Sequence, residues 1–108
     1  MPVSISGKPI DRVLWWLIAG TKGGRTRGMI IAALKDMPRN ANQLTADLGL
    51  DYKTIRHHLA ILLKNRIISS AGEGYGTTYF VSAELDERYS VLEEIWSKIG
   101  KNKKSGAR

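Results

Sequence analysis

The sequence contains no cysteine among its 108 residues. Without cysteine the chain has no disulfides, thiolate metal ligands or cysteine nucleophiles, and this composition is typical of proteins inside the cell. His57 and His58 are the only imidazole side chains. We therefore predict a cytoplasmic protein that holds no metal and no cofactor.

Long apolar runs are also missing. The longest, residues 13–19, is far shorter than the roughly 20 residues that span a bilayer. Lys8, Asp11 and Arg12 precede this run, and their mixed charge before a tryptophan-containing segment does not fit a secretory signal. We expect no membrane partner and treat the run as part of the fold.

Signatures of catalysis are missing as well. The glycine clusters at residues 20–24 and 72–76 lack the Lys-Ser/Thr of a phosphate-binding loop and the context of a dinucleotide site. Acidic residues concentrate near the C-terminal end, where a solvated helix face explains them better than acid/base catalysis. They are Glu84, Asp86, Glu87, Glu93 and Glu94. We predict that the protein is not an enzyme.

Basic residues dominate the composition, with a net charge of +7. Residues 20–66 hold nine Lys or Arg against three Asp, residues 67–100 hold two basic residues against six acidic ones, and residues 101–108 add four cations. A basic centre beside an acidic helix indicates one face for a polyanion and another for a different contact. Charge alone also leaves open a basic surface without a partner.

Helical spacing of apolar residues predicts five helices. Their approximate ranges are 10–19, 27–37, 43–48, 52–65 and 83–100. Polar residues precede four of them as predicted N-caps, and these are Thr26, Asn42, Asp51 and Ser82. Gly49 follows the third helix, where a residue with positive φ commonly ends a helix.

Two short segments have the composition of strands. Residues 67–70 and 77–82 are rich in β-branched and aromatic residues, and the glycine-rich residues 71–76 join them. The sequence therefore predicts a mainly α fold with a small β-hairpin (α+β).

The segment from Asn42 to Lys64 has the organisation of a helix-turn-helix. Apolar residues for the helix crossing are Leu44, Leu48, Leu50, Ile55 and Leu59. This packing leaves the outward side chains near the start of the second helix free to reach phosphates and base edges in a major groove.

Residues 54–62, which include His58 and Leu59, resemble the recognition helix of ArsR-type winged-helix regulators. Residues 14–21, 40–44 and 51–54 are similar to an archaeal subgroup of these winged helix-turn-helix proteins. The resemblance covers residues 10–82. It implies a helix-helix-strand-HTH-hairpin domain in which the hairpin is the wing, and usually a homodimer. The cysteines and the histidine and acidic sets of metal-sensing members are absent, so metal sensing is not implied.

The predicted partner is double-stranded DNA. The candidate DNA-binding residues are Arg25, Arg27, Asn42, Gln43, Tyr52, Lys53, Thr54, Arg56, His57, Lys64, Tyr75 and Thr77. For Arg25 and Arg27 a phosphate contact and a solvated surface are equally consistent. Tyr75 is expected to enter a minor groove, with a mobile hairpin tip as the alternative. His58 is expected to be a packed structural residue rather than a ligand.

The last predicted helix carries apolar residues at alternating spacings of four and three, the pattern of a coiled-coil seam. We predict that this seam forms a homodimer together with the first helix, and the alternative is packing within its own domain. The predicted interface residues are Trp15, Trp16, Leu85, Tyr89, Leu92, Trp96 and Ile99.

These predictions divide the chain into a flexible N-terminus at residues 1–9, a winged helix-turn-helix domain at 10–82, a dimerisation helix at 83–100 and a disordered basic tail at 101–108. The predicted function is sequence-specific regulation of transcription as a homodimer. Two alternatives stay open, a weakly specific DNA-coating or chromatin protein and a winged-helix module for protein contacts. The sequence does not identify an effector ligand.

Overall fold

A computed structural model describes residues 7–107, and it describes the side chains of residues 7–99. Helices surround one two-stranded antiparallel hairpin in this part of the chain. The elements are α1 (Pro9–Leu14), α2 (Gly24–Asp36), α3 (Ala41–Leu48), α4 (Tyr52–Lys64), β1 (Ile68–Ala71), β2 (Thr78–Val81), α5 (Ala83–Glu87) and α6 (Tyr89–Ala107). The mainly helical architecture with a small hairpin is confirmed.

The first predicted helix is not a single α-helix. α1 continues directly into a π-helical turn, Trp15–Ala19, which we call the π segment. Gly24 lies so close to this segment that a Cβ atom there would stand 1.9 Å from the Ile18 carbonyl oxygen. Only glycine permits this approach. α2 begins at Gly24, earlier than predicted, so Thr26 lies inside the helix and is not its N-cap.

The other predicted caps test the local signals in the sequence. Asp51 and Ser82 cap α4 and α5 as predicted, each accepting a backbone hydrogen bond from the residue three positions on. Gly49 ends α3 with a φ of 69°. Asn42 is not a cap, because Asn40 forms a reciprocal capping box with Gln43 and starts the helix two residues earlier.

The hairpin pairs Ile68 with Val81 and Ala71 with Thr78 at its two ends. The extended residue Arg39 forms a bridge to Tyr79, with hydrogen bonds of 3.1 and 2.8 Å between their backbone atoms. This bridge stands in the position of the strand that the family resemblance implies before the helix-turn-helix. It ties the start of the helix-turn-helix to the hairpin.

The C-terminal part differs from the predicted continuous helix. The helix is interrupted at Arg88, which separates α5 from α6. α6 then packs against α1 and the π segment. Leu85 and Leu92 are buried within their own chain. The apolar stripe therefore covers the core of its own domain, whereas the interface prediction placed Leu85 and Leu92 against a second subunit.

Trp96, another residue of the predicted interface, also packs within its own domain. A Cβ atom on Gly28 would stand 2.1 Å from the Trp96 ring, so this ring occupies the space left open on α2 by the glycine. Trp96, Tyr89 and Ile99 are half-buried and pack against the core. Glycine at position 28 is what lets α6 approach α2 closely.

An ion pair that the sequence does not suggest fixes the position of Arg88, the residue between α5 and α6. The fully buried carboxylate of Asp11 accepts hydrogen bonds from Nε and Nη2 of Arg88 at 3.0 and 2.6 Å. The Arg88 guanidinium is the main reason that the pKa of Asp11 lies below its usual range. The pair joins the start of the fold to the start of α6.

The two predicted chain ends have different outcomes. Residues 1–6 of the predicted flexible N-terminus lie outside the described residues, and Pro9 already belongs to α1. α6 continues to Ala107, which differs from the disordered tail predicted from residue 101. Lysine is a good helix former, and cations near a helix C-terminus interact favourably with its dipole. Within the described residues no helix is long and apolar enough to cross a membrane.

Candidate nucleic-acid interface

Two opposite faces define α4. One face holds Ile55, His58, Leu59 and Leu62, which are buried. The residues of the other face follow one another at helical spacing and are exposed to solvent. This face consists of Lys53, Arg56, His57, Ala60 and Lys64, which we call the basic face of α4. The helix contains no Asp or Glu, so no acidic neighbour within α4 offsets the charge of this face.

Packing behind α4 keeps the basic face free. Leu44 of α3 is fully buried together with Ile55 and Leu59, and Leu48 and Leu50 are half-buried beside them. These are the residues predicted for the helix crossing. α2 and α3 both contact α4, so the scaffold orients the basic face outward.

The first turn of α4 is ordered by side-chain hydrogen bonds. The Asp51 carboxylate accepts from the Thr54 hydroxyl at 2.6 Å and from the Thr54 backbone N–H at 3.2 Å. These bonds hold the pKa of Asp51 below its ordinary value. Since its proton is donated to Asp51, the Thr54 hydroxyl is left to accept rather than donate towards a ligand.

Arg56 is supported by an aromatic neighbour. Its guanidinium carbon lies 6.0 Å from the centre of the Tyr52 ring, within the range of a cation–π contact. Tyr52 is half-buried and Arg56 is exposed. The Tyr52 ring therefore restrains the exposed Arg56 side chain near the start of α4, the helix that would lie in a DNA major groove.

The predicted contacts of α3 and the wing are exposed to different degrees. Asn42 and Gln43 are exposed in the first turn of α3, but the Gln43 amide oxygen is occupied by the capping box. Tyr75 is 81% exposed in a 3-10 turn at the hairpin tip, and Thr77 beside it is half-buried. Tyr75 is therefore free to contact a partner.

Arg25 and Arg27 have different environments. Arg25 is exposed on α2. Arg27 is only 4% exposed, and its guanidinium donates to the Leu17 carbonyl at 3.0 Å and to Nδ1 of His58 at 3.2 Å. Burial lowers the pKa of Arg27. Since its side chain is turned into the protein, Arg27 is withdrawn from the candidate DNA contacts.

The two histidines also differ. His57 is exposed on the basic face, whereas His58 is buried, as predicted for a structural residue. Because Arg27 is a donor, Nδ1 of His58 accepts, and the neutral ring carries its proton on Nε2. Burial, then the charge of Arg27, lowers the pKa of His58.

Lys22 is a basic residue near α4 that its sequence context does not mark, because it stands in a turn between glycines rather than on a helix stripe. Lys22 is exposed, and it lines a groove together with His57 and Lys64. Among the described side chains no group of three potential ligands could hold a metal ion.

A helix-turn-helix followed by a β-hairpin defines the winged helix-turn-helix class, in which the position of α4 is that of the recognition helix. Residues 24–70, somewhat less than half of the chain, match the sequence profile of the family described as bacterial regulatory protein, arsR family. A comparison with curated proteins gives no match.

Several solved structures with a similar fold are described as transcriptional regulators. The regulator HlyU from Vibrio vulnificus CMCP6 is 20% identical, with 80% of this chain and 81% of that chain aligned at a TM-score of 0.58. An ArsR-like transcriptional regulator from Rhodococcus sp. RHA1 is 21% identical over 89% of this chain and 86% of that chain, with a TM-score of 0.58.

A third similar structure is a homodimeric winged helix-turn-helix DNA-binding domain from Mycobacterium bovis, a possible ArsR-family transcriptional regulator. It is 16% identical over 92% of this chain and 86% of that chain, with a TM-score of 0.56. The protein thus has an ArsR-like winged helix-turn-helix fold, the fold of DNA-binding transcriptional regulators. The matched family and these structures are regulators rather than enzymes.

Proposed function

We propose that this protein is a sequence-specific regulator of transcription that binds double-stranded DNA as a homodimer. The observation that carries the proposal is the basic face of α4, an exposed stripe without acidic residues on the second helix of a helix-turn-helix. Positive side chains on such a helix bind phosphates and read base edges in the major groove. A protein with this role works in the cytoplasm, as predicted from its lack of cysteine.

The proposed contacts are the candidate residues whose side chains are exposed or half-buried. They are Arg25, Asn42, Gln43, Tyr52, Lys53, Thr54, Arg56, His57, Lys64, Tyr75 and Thr77. Within this set Arg56 is our candidate for base readout, since a guanidinium pairs in bidentate fashion with guanine. Lys53 and Lys64 are assigned to phosphates, and Tyr75 to the minor groove beside the wing.

Selection of bound fragments from genomic DNA tests the proposal. We expect enrichment of a palindrome whose half-sites are about 10 base pairs apart, since two recognition helices on one side of the duplex are separated by roughly one helical turn. Binding without an enriched sequence would instead favour the weakly specific DNA-coating protein, which the net charge of +7 also suits. Absence of DNA binding would favour a module for protein contacts.

We propose that the homodimer forms through the π segment and the neighbouring part of α1 rather than through the stripe of α5 and α6. Trp16 is 60% exposed, and it borders a flat apolar surface with Arg12, Trp15, Ala19 and Gly20. Exposed tryptophan is a frequent anchor of protein interfaces. The homodimeric state of the Mycobacterium bovis domain supports an association of this kind.

Replacing Trp16 by glutamate tests this interface by sedimentation. We expect dimers in the wild type at tens of micromolar and monomers in the W16E variant, because the charge would be buried at the interface. M37E is the matched control, since Met37 is another large exposed apolar side chain, 53% exposed, outside this surface. A dimeric W16E variant would place the interface elsewhere.

A further inference from the structure

A groove separates the π segment from the C-terminal half of α4. We define this groove by Trp16, Lys22, Arg27, His57, Ile61 and Lys64, which line it. Its volume is about 480 Å³, which is within the range of about 300–1,000 Å³ common for small-molecule sites. The groove lies next to the basic face of α4, with which it shares His57 and Lys64.

Arg27 carries a buried charge into this groove without a counter-charge. The other arginines with low exposure have carboxylate partners, since Arg88 pairs with Asp11, and Arg39 pairs with Asp36 and Asp47. None of the ion pairs among the described side chains includes Arg27. Burial of an unpaired charge is unfavourable. An anion that bound this guanidinium would supply the missing counter-charge, and this favours anion binding.

The hydrogen bonds of Arg27 leave room for such a partner. Its Nε donates to the Leu17 carbonyl, Nη1 to His58, and Nη2 to the Thr21 hydroxyl and the Lys22 carbonyl. All four acceptors are neutral. A guanidinium has five N–H groups, so one N–H on Nη1 has no acceptor among the described residues.

The remaining walls define the chemistry of a ligand. Lys22 and Lys64 are exposed at the rim, and none of the described residues that line the groove is acidic. The charge of the groove therefore favours an anion. Trp16 and Ile61 supply an aromatic and an aliphatic surface. These surfaces suit a flat apolar body, which a phosphate of the DNA backbone does not have.

We propose that this groove binds a small organic anion, a flat apolar body bearing one carboxylate, with the carboxylate at Arg27 and Lys22. The apolar body lies between Ile61 and the side of Trp16 that lines the groove, and the other side of Trp16 is left to the proposed dimer surface. Because His57 and Lys64 line the groove and also belong to the basic face of α4, the bound anion lies beside two proposed DNA contacts and competes with DNA for this space. This second step, that the anion is an effector that releases DNA, rests on the proposed function.

Isothermal titration calorimetry of the full chain without DNA tests the binding step. The probe is 2-naphthoate, compared with its neutral analogue 2-naphthalenemethanol and with inorganic phosphate. We expect one naphthoate per protomer and affinity at least about tenfold lower for the alcohol, the ratio expected if the charge contact is worth about 1.4 kcal/mol. Equal affinity for acid and alcohol would overturn the proposal, and so would phosphate binding as tightly as naphthoate.

Two single-charge variants localise the binding. K22Q should lower the affinity for naphthoate about fivefold, the effect of losing one exposed charge contact near 1 kcal/mol. R25Q is the matched control, because Arg25 is exposed on the neighbouring helix but does not line the groove, and it should bind naphthoate like the wild type. Equal effects of the two variants would show a general attraction to the basic surface and would overturn the assigned site.

Fluorescence anisotropy of the labelled palindrome tests the effector step. Naphthoate should release the DNA over the concentration range in which calorimetry shows binding, and the alcohol should not. Bound naphthoate that leaves the DNA complex intact would refute the competition. A chain that binds no DNA at all would refute the proposed function, while calorimetry would still decide whether the groove is a ligand site.

Discussion

Arg56 is exposed on the basic face of α4 and restrained by the ring of Tyr52. Changing Arg56 to alanine should weaken binding to the preferred DNA by about 1 to 3 kcal/mol and reduce the margin over random DNA, since a guanidinium that reads a base edge is specific to one sequence. Titration of both DNAs at one salt concentration measures this margin.

Lys53 provides the control for Arg56 because it is exposed one turn earlier on the same face. K53A should weaken binding to preferred and random DNA by similar amounts, as expected of a phosphate contact. If R56A also weakens both DNAs equally, Arg56 contacts phosphate and base readout lies with another residue.

His58 makes the stability of the fold depend on pH. Its pKa is lowered in the folded state, by burial and by the charges of Arg27 and His57, from an ordinary value of 6.5. Between the folded and the unfolded pKa, His58 is therefore protonated in the unfolded chain and largely neutral in the folded chain. This contribution to stability is complete above the unfolded pKa and is lost as the pH falls from there towards the folded pKa.

Urea unfolding at several pH values between about 5 and 8 measures this effect, since the histidine titrates in that interval. We expect the free energy of unfolding to fall below the ordinary pKa of 6.5 in the wild type. H58N should lose most of this slope, because an amide oxygen can accept from Arg27 but does not titrate. H57N should keep the slope. A wild-type slope that survives in H58N would place the titrating group elsewhere.

At the scale of elements, the contact between α2 and α6 depends on Gly28. Alanine at this position would place a Cβ atom 2.1 Å from the Trp96 ring, so the ring must move. We expect overpacking in G28A to cost about 1 to 3 kcal/mol and the gain in helix propensity to return roughly 1 kcal/mol, so the net loss of stability should reach up to about 2 kcal/mol. Chemical denaturation of the variant measures the difference.

Two further variants show whether Trp96 is the cause. G76A is the matched control, because a Cβ atom at Gly76 has nothing within 4 Å, and its stability should stay close to that of the wild type. W96L should offset part of the loss in a double mutant with G28A, which a double-mutant cycle reports as coupling. Additive losses would show that the ring does not fill the space above Gly28.

At the scale of the whole molecule, the end of the chain is a second basic segment beside α4. Residues 101–108 contain four cations. Removing them should weaken binding to all DNA sequences and flatten its salt dependence, since each phosphate contact contributes a slope of about −0.9. Dimerisation and thermal stability should change little. Binding titrations over a salt series measure the slope.

Exchanging the same four cations for glutamine separates charge from the length of α6, which runs to Ala107. The exchanged chain should bind DNA like the shortened one, because the loss is electrostatic. If only the shortened chain melts at a lower temperature, the last turns of α6 stabilise the fold and are more than a basic extension.

Predictability from the sequence also differs between these scales. Gly49 ends α3 and Asp51 begins α4 as predicted, because capping bonds and positive φ are properties of a few consecutive residues. Asn40 and Asn42 carry the same local capping signal. Asn40 became the cap of α3 next to Arg39, whose backbone is held in extended conformation by the bridge to Tyr79, forty residues away in sequence.

The sequence by itself determined the amphipathic pattern of α4, the turn before it and the wing after it, since helical and strand periods are written in neighbouring residues. Only the tertiary structure decided the surroundings of Arg27, Asp11 and the stripe on α5 and α6. Arg27 meets His58 across 31 residues, and Asp11 meets Arg88 across 77. A charged side chain reads as exposed in a local pattern, and an apolar stripe has the same period whether it covers its own core or a partner. The choice depends on which distant elements pack together, and local periodicity carries no information about that packing.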